Sequence, residues 1–365
     1  MKGDSVLRVL IISPIEYGNL IDHTMWSKYL SINNIDVTHL SIGNSEIRNI
    51  NSNIRIIKVK KIKNKIIKNI IFIFNCIKII KEYKYNGIII DYFPGCSLIK
   101  MFNYKKKMIV DIRTTTISNN KLKKKIRDFM IKIESNIFDN ISIITPKLIE
   151  ILKLNSKKVK ILPLGSECVV NLEKSKSNDI LKILYVGTLD NRNIESTIKA
   201  IKKCIDNKIY NIRYTIIGFS KYKSNEDNLN NIIRSYNLNK YVKFLGKVEH
   251  DKLKSYYENN NIGLSYIPCK DYFNYQPPTK TYEYIINGLY CIATKTKANE
   301  EIIIDKVNGE LIFDSEDELA NSIIKLAKDP LILNTKKISQ TLNNFLWSSI
   351  IENNLIPIFE CNKNE

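Results

Sequence analysis

Two short stretches in the second half of the sequence combine residue types suited to gripping an anion. In Ile183-Leu-Tyr-Val-Gly-Thr-Leu-Asp-Asn-Arg192 an apolar run ends at Gly187, and Arg192 follows just before a helical pattern that starts near Ile194. A glycine there permits a tight turn, and a guanidinium can hold a diphosphate through a forked, charge-assisted pair of hydrogen bonds. In Gln276-Pro-Pro-Thr-Lys-Thr-Tyr-Glu283, Pro277 and Pro278 stop the preceding chain and place Thr279 at a helix start. Lys280, Thr281 and the first-turn amides then face an anion, and Glu283 is placed to accept hydrogen bonds from the vicinal hydroxyls of a ribose. Each feature also has a plainer reading. Arg192 and Lys280 would be solvated charges, Glu283 a first-turn acid favoured by the helix dipole, and Gly187 and Gly218 strand-end turns.

In the first half, the apolar run Met108-Ile-Val-Asp-Ile-Arg113 carries Asp111 and Arg113 to the end of a strand. Of the three histidines, none falls at that strand end: His23 and His250 read as surface or packing residues, and His39 as part of a strand. There is no Asp-x-Asp and no histidine cluster at metal-ligand spacing, so neither a metal nor another cofactor is expected. The seven cysteines are scattered without a CxxC pair, and no N-terminal signal segment is seen, which fits a reducing cytoplasm.

Groups of this kind need strands that end at a common edge. β-Branched runs at 6–12, 35–40, 87–91, 108–112, 141–144 and 159–162 alternate with helical stretches, and the alternation restarts at 180–186, 214–217, 242–245, 262–266, 290–293 and 311–313. Continuous apolar strands with helices between them imply an α/β architecture in which parallel sheets are covered on both faces. A length of 365 residues suits two such domains. The polar stretch 163–179 is the expected linker, giving an N-terminal domain over 1–162, a C-terminal domain over 163–340, and a C-terminal helix over 341–365 expected to pack back on the N-terminal domain. No segment reaches the roughly 18 uninterrupted apolar residues that a spanning helix requires.

The net charge of +20 is unevenly spread. Residues 1–162 hold 30 Lys/Arg against 12 Asp/Glu, whereas 163–365 hold 27 against 25. The first half should therefore face something anionic: a membrane surface, a pyrophosphate-linked substrate or nucleic acid. The segment 54–85, with Arg55 and nine lysines against Glu82 alone, interleaved with Phe72 and Phe74, suits an anionic interface. In 121–138, Leu122, Ile126, Phe129, Met130, Ile133 and Ile137 share one helical face, which is expected to pack on the sheet.

At these residues the sequence resembles glycosyltransferases of the GT-B fold, family 4. Ser13-Pro-Ile-Glu-Tyr-Gly18 is similar to the loop after the family's first strand, and Ile161-Leu-Pro-Leu-Gly-Ser-Glu167 to its interdomain crossover. Gly187 with Arg192, Gly218, Val242-Lys-Phe-Leu-Gly246, Lys280-Thr-Tyr-Glu283, Asn308-Gly309 and Trp347 follow in the family's order. The resemblance implies two Rossmann-like domains facing a cleft. It also implies a nucleotide-diphosphate sugar donor, a saccharide or lipid-linked acceptor, and transfer with retention and without a divalent metal. The family's first of two glutamates falls at Tyr275, so Asp271 substitutes for it or the arrangement differs; the arginine often found after the first glycine is Thr188. Arg113 falls where members often place a histidine near the donor sugar. Two other classes remain at this stage: a sugar-nucleotide epimerase, which would need carboxylates and a histidine for proton work, and a basic membrane- or nucleic-acid-binding protein, supported by charge alone.

Overall fold

Isoleucine, valine and leucine runs flanked by polar turns become strands with both faces covered, and they do so in two separate sheets. The computed structural model describes residues 7–44, 46–116, 120–173, 179–331 and 333–360. They divide into two compact units, Met1–Leu164 with Trp347–Glu365, and Gly165–Leu346. The segment that joins the first unit from the far end of the chain therefore starts at Trp347. Part of the expected linker, 174–178, and the side chain of Asp271 lie outside the described residues.

The first unit contains β1 (Arg8–Ile12), β2 (Asp36–Gly43), β3 (Glu46–Asn51), β4 (Ile54–Lys60), β5 (Gly87–Asp91), β6 (Ile109–Ile112), β7 (Asn140–Ile143) and β8 (Val159–Ile161). Their order is β3-β4-β2-β1-β5-β6-β7-β8, with β3 antiparallel to β4 and the remaining pairs parallel. Val9 to Ile12 are fully buried, as a central parallel strand requires. The order reverses beside β1, since β2 lies on one side and β5 on the other. Ligands in open α/β sheets bind at such a reversal, outside the carboxyl ends of the strands.

Right-handed crossovers fix where the helices go. The connections from β4 to β5 and onward to β8 all run in one direction along the sheet. The helices Lys65–Glu82, Ser97–Met101, Lys121–Ser135 and Lys147–Leu152 therefore share one face, and neighbours among them pack side by side. Helix Ile21–Ile32 runs the other way and covers the opposite face. There Val9, Trp26 and Leu30 meet Trp347, Ile350, Leu355 and Phe359 of the returning segment in one core cluster.

Two expectations for this unit need correction. Residues 54–85 are not one interfacial segment: Ile54–Lys60 forms β4 beside β2, and the helix proper begins at Lys65, capped by Asn64, which accepts from the Ile66 and Ile67 amides. Helix Lys121–Ser135 does not lay its apolar face on the sheet. It buries only Ile131 and Ser135. Leu122, Ile126, Phe129, Met130, Ile133 and, just beyond the helix, Ile137 are exposed. Local hydrogen bonds explain the roll of the helix: the Glu134 carboxylate accepts from the Gly95 amide, and Asp128 accepts from the Thr116 amide and pairs with Lys124.

The second unit contains β9 (Leu181–Val186), β10 (Ile212–Ile217), β11 (Val242–Phe244), β12 (Ile262–Ser265), β13 (Tyr290–Thr294) and β14 (Gly309–Ile312), all parallel in the order β11-β10-β9-β12-β13-β14. Its reversal lies between β9 and β12. Among the described residues, no helix is long and apolar enough to cross a membrane.

Candidate active site

The second unit builds its site at the β9/β12 reversal. A Cβ on Gly218 would stand 2.0 Å from the Gly187 carbonyl oxygen, so only glycine lets the ends of β10 and β9 lie this close. Gly187, at φ +150°, exposes backbone to the side chain of Lys280, whose Nζ lies 3.2 Å from where a Cβ would be. Gly246 (φ +71°) serves the turn after β11 and accepts from the Gly218 amide, 2.9 Å. Gly18 (φ +92°) serves the turn after β1 in the first unit.

As expected from the proline pair, the next helix begins at Thr279 (Thr279–Ile286). Its Lys280 is buried, and its Nζ has no hydrogen-bond partner among the described residues. The ammonium sits 4.0 Å from the centroid of the Tyr185 ring. Burial, helped by nearby Arg192, pushes its pKa down to about 7. A buried ammonium without a partner is costly, and its position is explained if an anion completes it.

Arg192 faces the same space with its guanidinium 4.2 Å from the Phe273 ring centroid. Glu283, one turn behind Lys280, is raised in pKa by burial and accepts a 3.2 Å hydrogen bond from the Tyr257 hydroxyl. Together with Gly187, Thr188, His250, Gln276, Pro277 and Pro278, these side chains line a cavity of about 400 Å³. Thr281 does not join them: it is fully buried, with its hydroxyl 2.8 Å from Ser265 Oγ and 3.0 Å from Asn299 Oδ1, and it ties the helix to the end of β12. Tyr275, at the position of the missing glutamate, follows the short helix Asp271–Asn274, and Gln276 is the polar side chain that reaches the cavity there. His250, read as a surface or packing residue, is an exposed residue on the rim close enough to Glu283 to favour its charge.

In the first unit, the ends of β1, β5 and β6 converge on a buried ionic network. Arg113 Nε donates to Asp111 Oδ2 at 2.7 Å and lies 3.5 Å from Asp22 Oδ2, while Nη1 donates to the Leu162 carbonyl at 3.0 Å. The guanidinium stacks over Trp26, 4.5 Å from the ring centroid. Asp111 is fully buried and accepts from Ser142 Oγ. Burial alone would raise its pKa, but Arg113 and His23 more than offset that and hold it below the usual carboxylate range. Asp91, which accepts from Ser13 Oγ at 3.0 Å, is pushed up to about 6 by burial.

The expectation that no histidine reaches this point is corrected by the structure. His23, carried on helix Ile21–Ile32, places Nε2 3.6 Å from Asp111 Oδ2 and is almost wholly buried. Among the described residues, His23, Asp91 and Asp111 form the one group with metal-ligand reach, their donor atoms within 4.8 Å of one another. No sequence spacing announces it, because the three come from three separate elements. Arg113 already occupies a lone pair of Asp111, so a cation would have to compete with a guanidinium there. Asp91, Asp111, Arg113, Thr114 to Thr116, Arg127 and Met130 line a cavity of about 420 Å³.

Solved structures share this architecture over nearly the whole chain. A glycosyltransferase from Rickettsia africae superposes with a TM-score of 0.73 at 17% identity, covering 99% of both chains. Anabaena HepE in complex with UDP-glucose gives 0.69 at 12%, covering 98% of this chain and 100% of that one. The lipopolysaccharide outer core galactosyltransferase WaaB gives 0.70 at 13%, with 98% and 100% covered. The sequence matches no curated protein. Two doubly wound units, the second with a cationic cavity at its reversal, give this chain the GT-B fold that these structures share. Residues 171–342 match the family described as glycosyl transferases group 1, and the second unit is a domain of that family.

Proposed function

We propose that the protein transfers a sugar from a nucleoside diphosphate sugar, held in the second unit, to a saccharide or lipid-linked acceptor that meets the first, as a family 4 enzyme acting with retention. The observation that carries the donor assignment is the partnerless ammonium of Lys280, buried beside Arg192 and the Gly187 turn. In this reading Lys280 and Arg192 hold the diphosphate and stabilise it as it leaves, Glu283 accepts from the ribose, and no covalent role for the protein is required. A uridine diphosphate sugar is the first donor to test, since HepE, similar in fold, was solved with UDP-glucose. The basic first unit would work at the anionic cytoplasmic leaflet, in assembly of a surface polysaccharide.

Glu283→Ala should weaken UDP binding by about 10- to 100-fold, the range for losing charge-assisted hydrogen bonds, at a temperature where both proteins are fully folded. Titration calorimetry at one pH measures it, and an affinity equal to the parent's would remove the ribose assignment. Transfer should also persist in excess chelator. If activity disappears and manganese restores it, the His23, Asp91 and Asp111 group is the place to look for the ion.

A further inference from the structure

We propose that the helical layer on the outer face of the first unit's sheet is a docking surface for an anionic lipid bilayer, with helix Lys121–Ser135 inserted to the headgroup boundary. The inference rests on the reading that the acceptor is lipid-borne, and it names the surface that would meet the lipid. A helix that has a sheet to pack on normally turns its apolar face inward. This one does the reverse. At 100° per residue, Leu122, Ile126, Phe129 and Ile133 form a stripe opposite Ile131 and Ser135, the residues the helix buries. Phe129 is 60% exposed and Leu122 67%.

The charges complete the pattern. Lys123 and Arg127 flank the stripe on one side, and Lys121, Lys125 and Lys132 on the other. An apolar stripe with basic flanks, lying flat on a protein surface, is the form of an interfacial helix. Helix Lys65–Glu82, on the same side of the sheet, repeats it with Ile66 and Phe74 outward and Lys61, Lys63 and Lys65 at its start. A second copy of the chain is a poor occupant, because the basic flanks of two such faces would oppose each other. Nucleic acid is also poor, since here the apolar side chains stand at the centre and the cations at the margin, where a phosphate backbone would require the opposite.

The same helix also walls the first unit's cavity through Arg127, Met130 and Ile131. A headgroup in the plane of a docked bilayer would therefore lie next to that cavity.

Flotation with vesicles of phosphatidylcholine alone, and of phosphatidylcholine mixed with phosphatidylglycerol, tests the proposal on the full chain. The parent should float with the mixed vesicles at low salt and much less with neutral ones. Phe129→Ser with Ile133→Ser should cut binding at least roughly tenfold. It should do so most clearly in the part that survives at high salt. Lys123→Ser with Lys125→Ser should remove mainly the salt-sensitive part. Both substitutions are at exposed positions, so melting temperature and UDP affinity should match the parent's. Binding by either double variant equal to the parent's, or equal flotation with neutral and anionic vesicles, would overturn the docking surface. So would a parent that transfers sugar to a soluble acceptor but ignores vesicles at low salt, and that outcome leaves the transferase reading intact. A parent that dimerises in sedimentation and does not float would assign the face to self-association instead. Failure to bind any nucleotide sugar is the separate result that would remove the function itself.

Discussion

Lys280→Met should make the empty protein more stable and nearly abolish donor binding. The wild-type ammonium is buried, lacks a hydrogen-bond partner, and has its pKa depressed to about 7 by burial and by Arg192. Between pH 7 and the unfolded value near 10.5 the unfolded chain holds the proton more readily than the folded one. Stability therefore rises with pH across that window, and the penalty is fully felt below it. Methionine keeps an unbranched apolar stem and removes the charge over the Tyr185 ring. The melting temperature should rise by about 3 °C or more at pH 6.5, and the difference should shrink as pH approaches 10. Affinity for UDP should fall by roughly a hundredfold or more, the cost of leaving a buried anion without its cation.

The same group gives the wild type a pH signature. A diphosphate favours the protonated amine, so binding should take up a proton above pH 7, and affinity should weaken by up to about tenfold per pH unit there. Calorimetry in two buffers of different ionisation enthalpy measures the uptake. A variant that binds UDP as tightly as the parent, or a parent that takes up no proton at pH 8, would show that Lys280 serves the fold and not the ligand.

How much of this could be read in advance differs between the two units for a physical reason. The second unit's cavity is built locally: Gly187 and Arg192 lie within one strand–turn–helix, and Lys280 and Glu283 within one helical turn, so spacing along the sequence already places them near one another. What could not be read was the state of each group. Nothing in the order of residues says that Thr281 turns inward to Ser265 while Lys280 is left without a partner. In the first unit the network is assembled by topology. Asp111 and Arg113 share one strand end, but Asp22, His23, Asp91 and Trp26 arrive from other elements, and only the reversal beside β1 brings them together. The strand Ile54–Lys60 was hidden because it is built mostly of isoleucine and lysine, the two types that saturate the whole region. Helix Lys121–Ser135 misled for the opposite reason. Its apolar periodicity is real, but periodicity cannot say which side the sheet is on.

Arg113 is expected to be a positioning residue, and Arg113→Met should show it through stability. Its guanidinium is the main counter-charge for Asp111 and Asp22, both buried, and it is stacked on Trp26. Asp22 is already raised in pKa by burial despite Arg113, so little else compensates it. Removing one partner of a buried ion pair costs about 3–5 kcal/mol. The loss should fall on the first unit, seen as an earlier melting step, with UDP affinity in the second unit unchanged. The pH dependence has a definite sign. Asp111, with its pKa held low, contributes stability above the unfolded carboxylate value, and that contribution is lost as pH falls through the folded one. Without Arg113 the same carboxylate is disfavoured when charged, so the gap between variant and parent should be widest near neutral pH and narrow toward pH 4. Arg113→Lys should recover part of the stability, since it restores the charge but not the fork that reaches both Asp111 and the Leu162 carbonyl. A methionine variant that melts with the parent while losing transfer would instead place Arg113 on the substrate, as the resemblance implied.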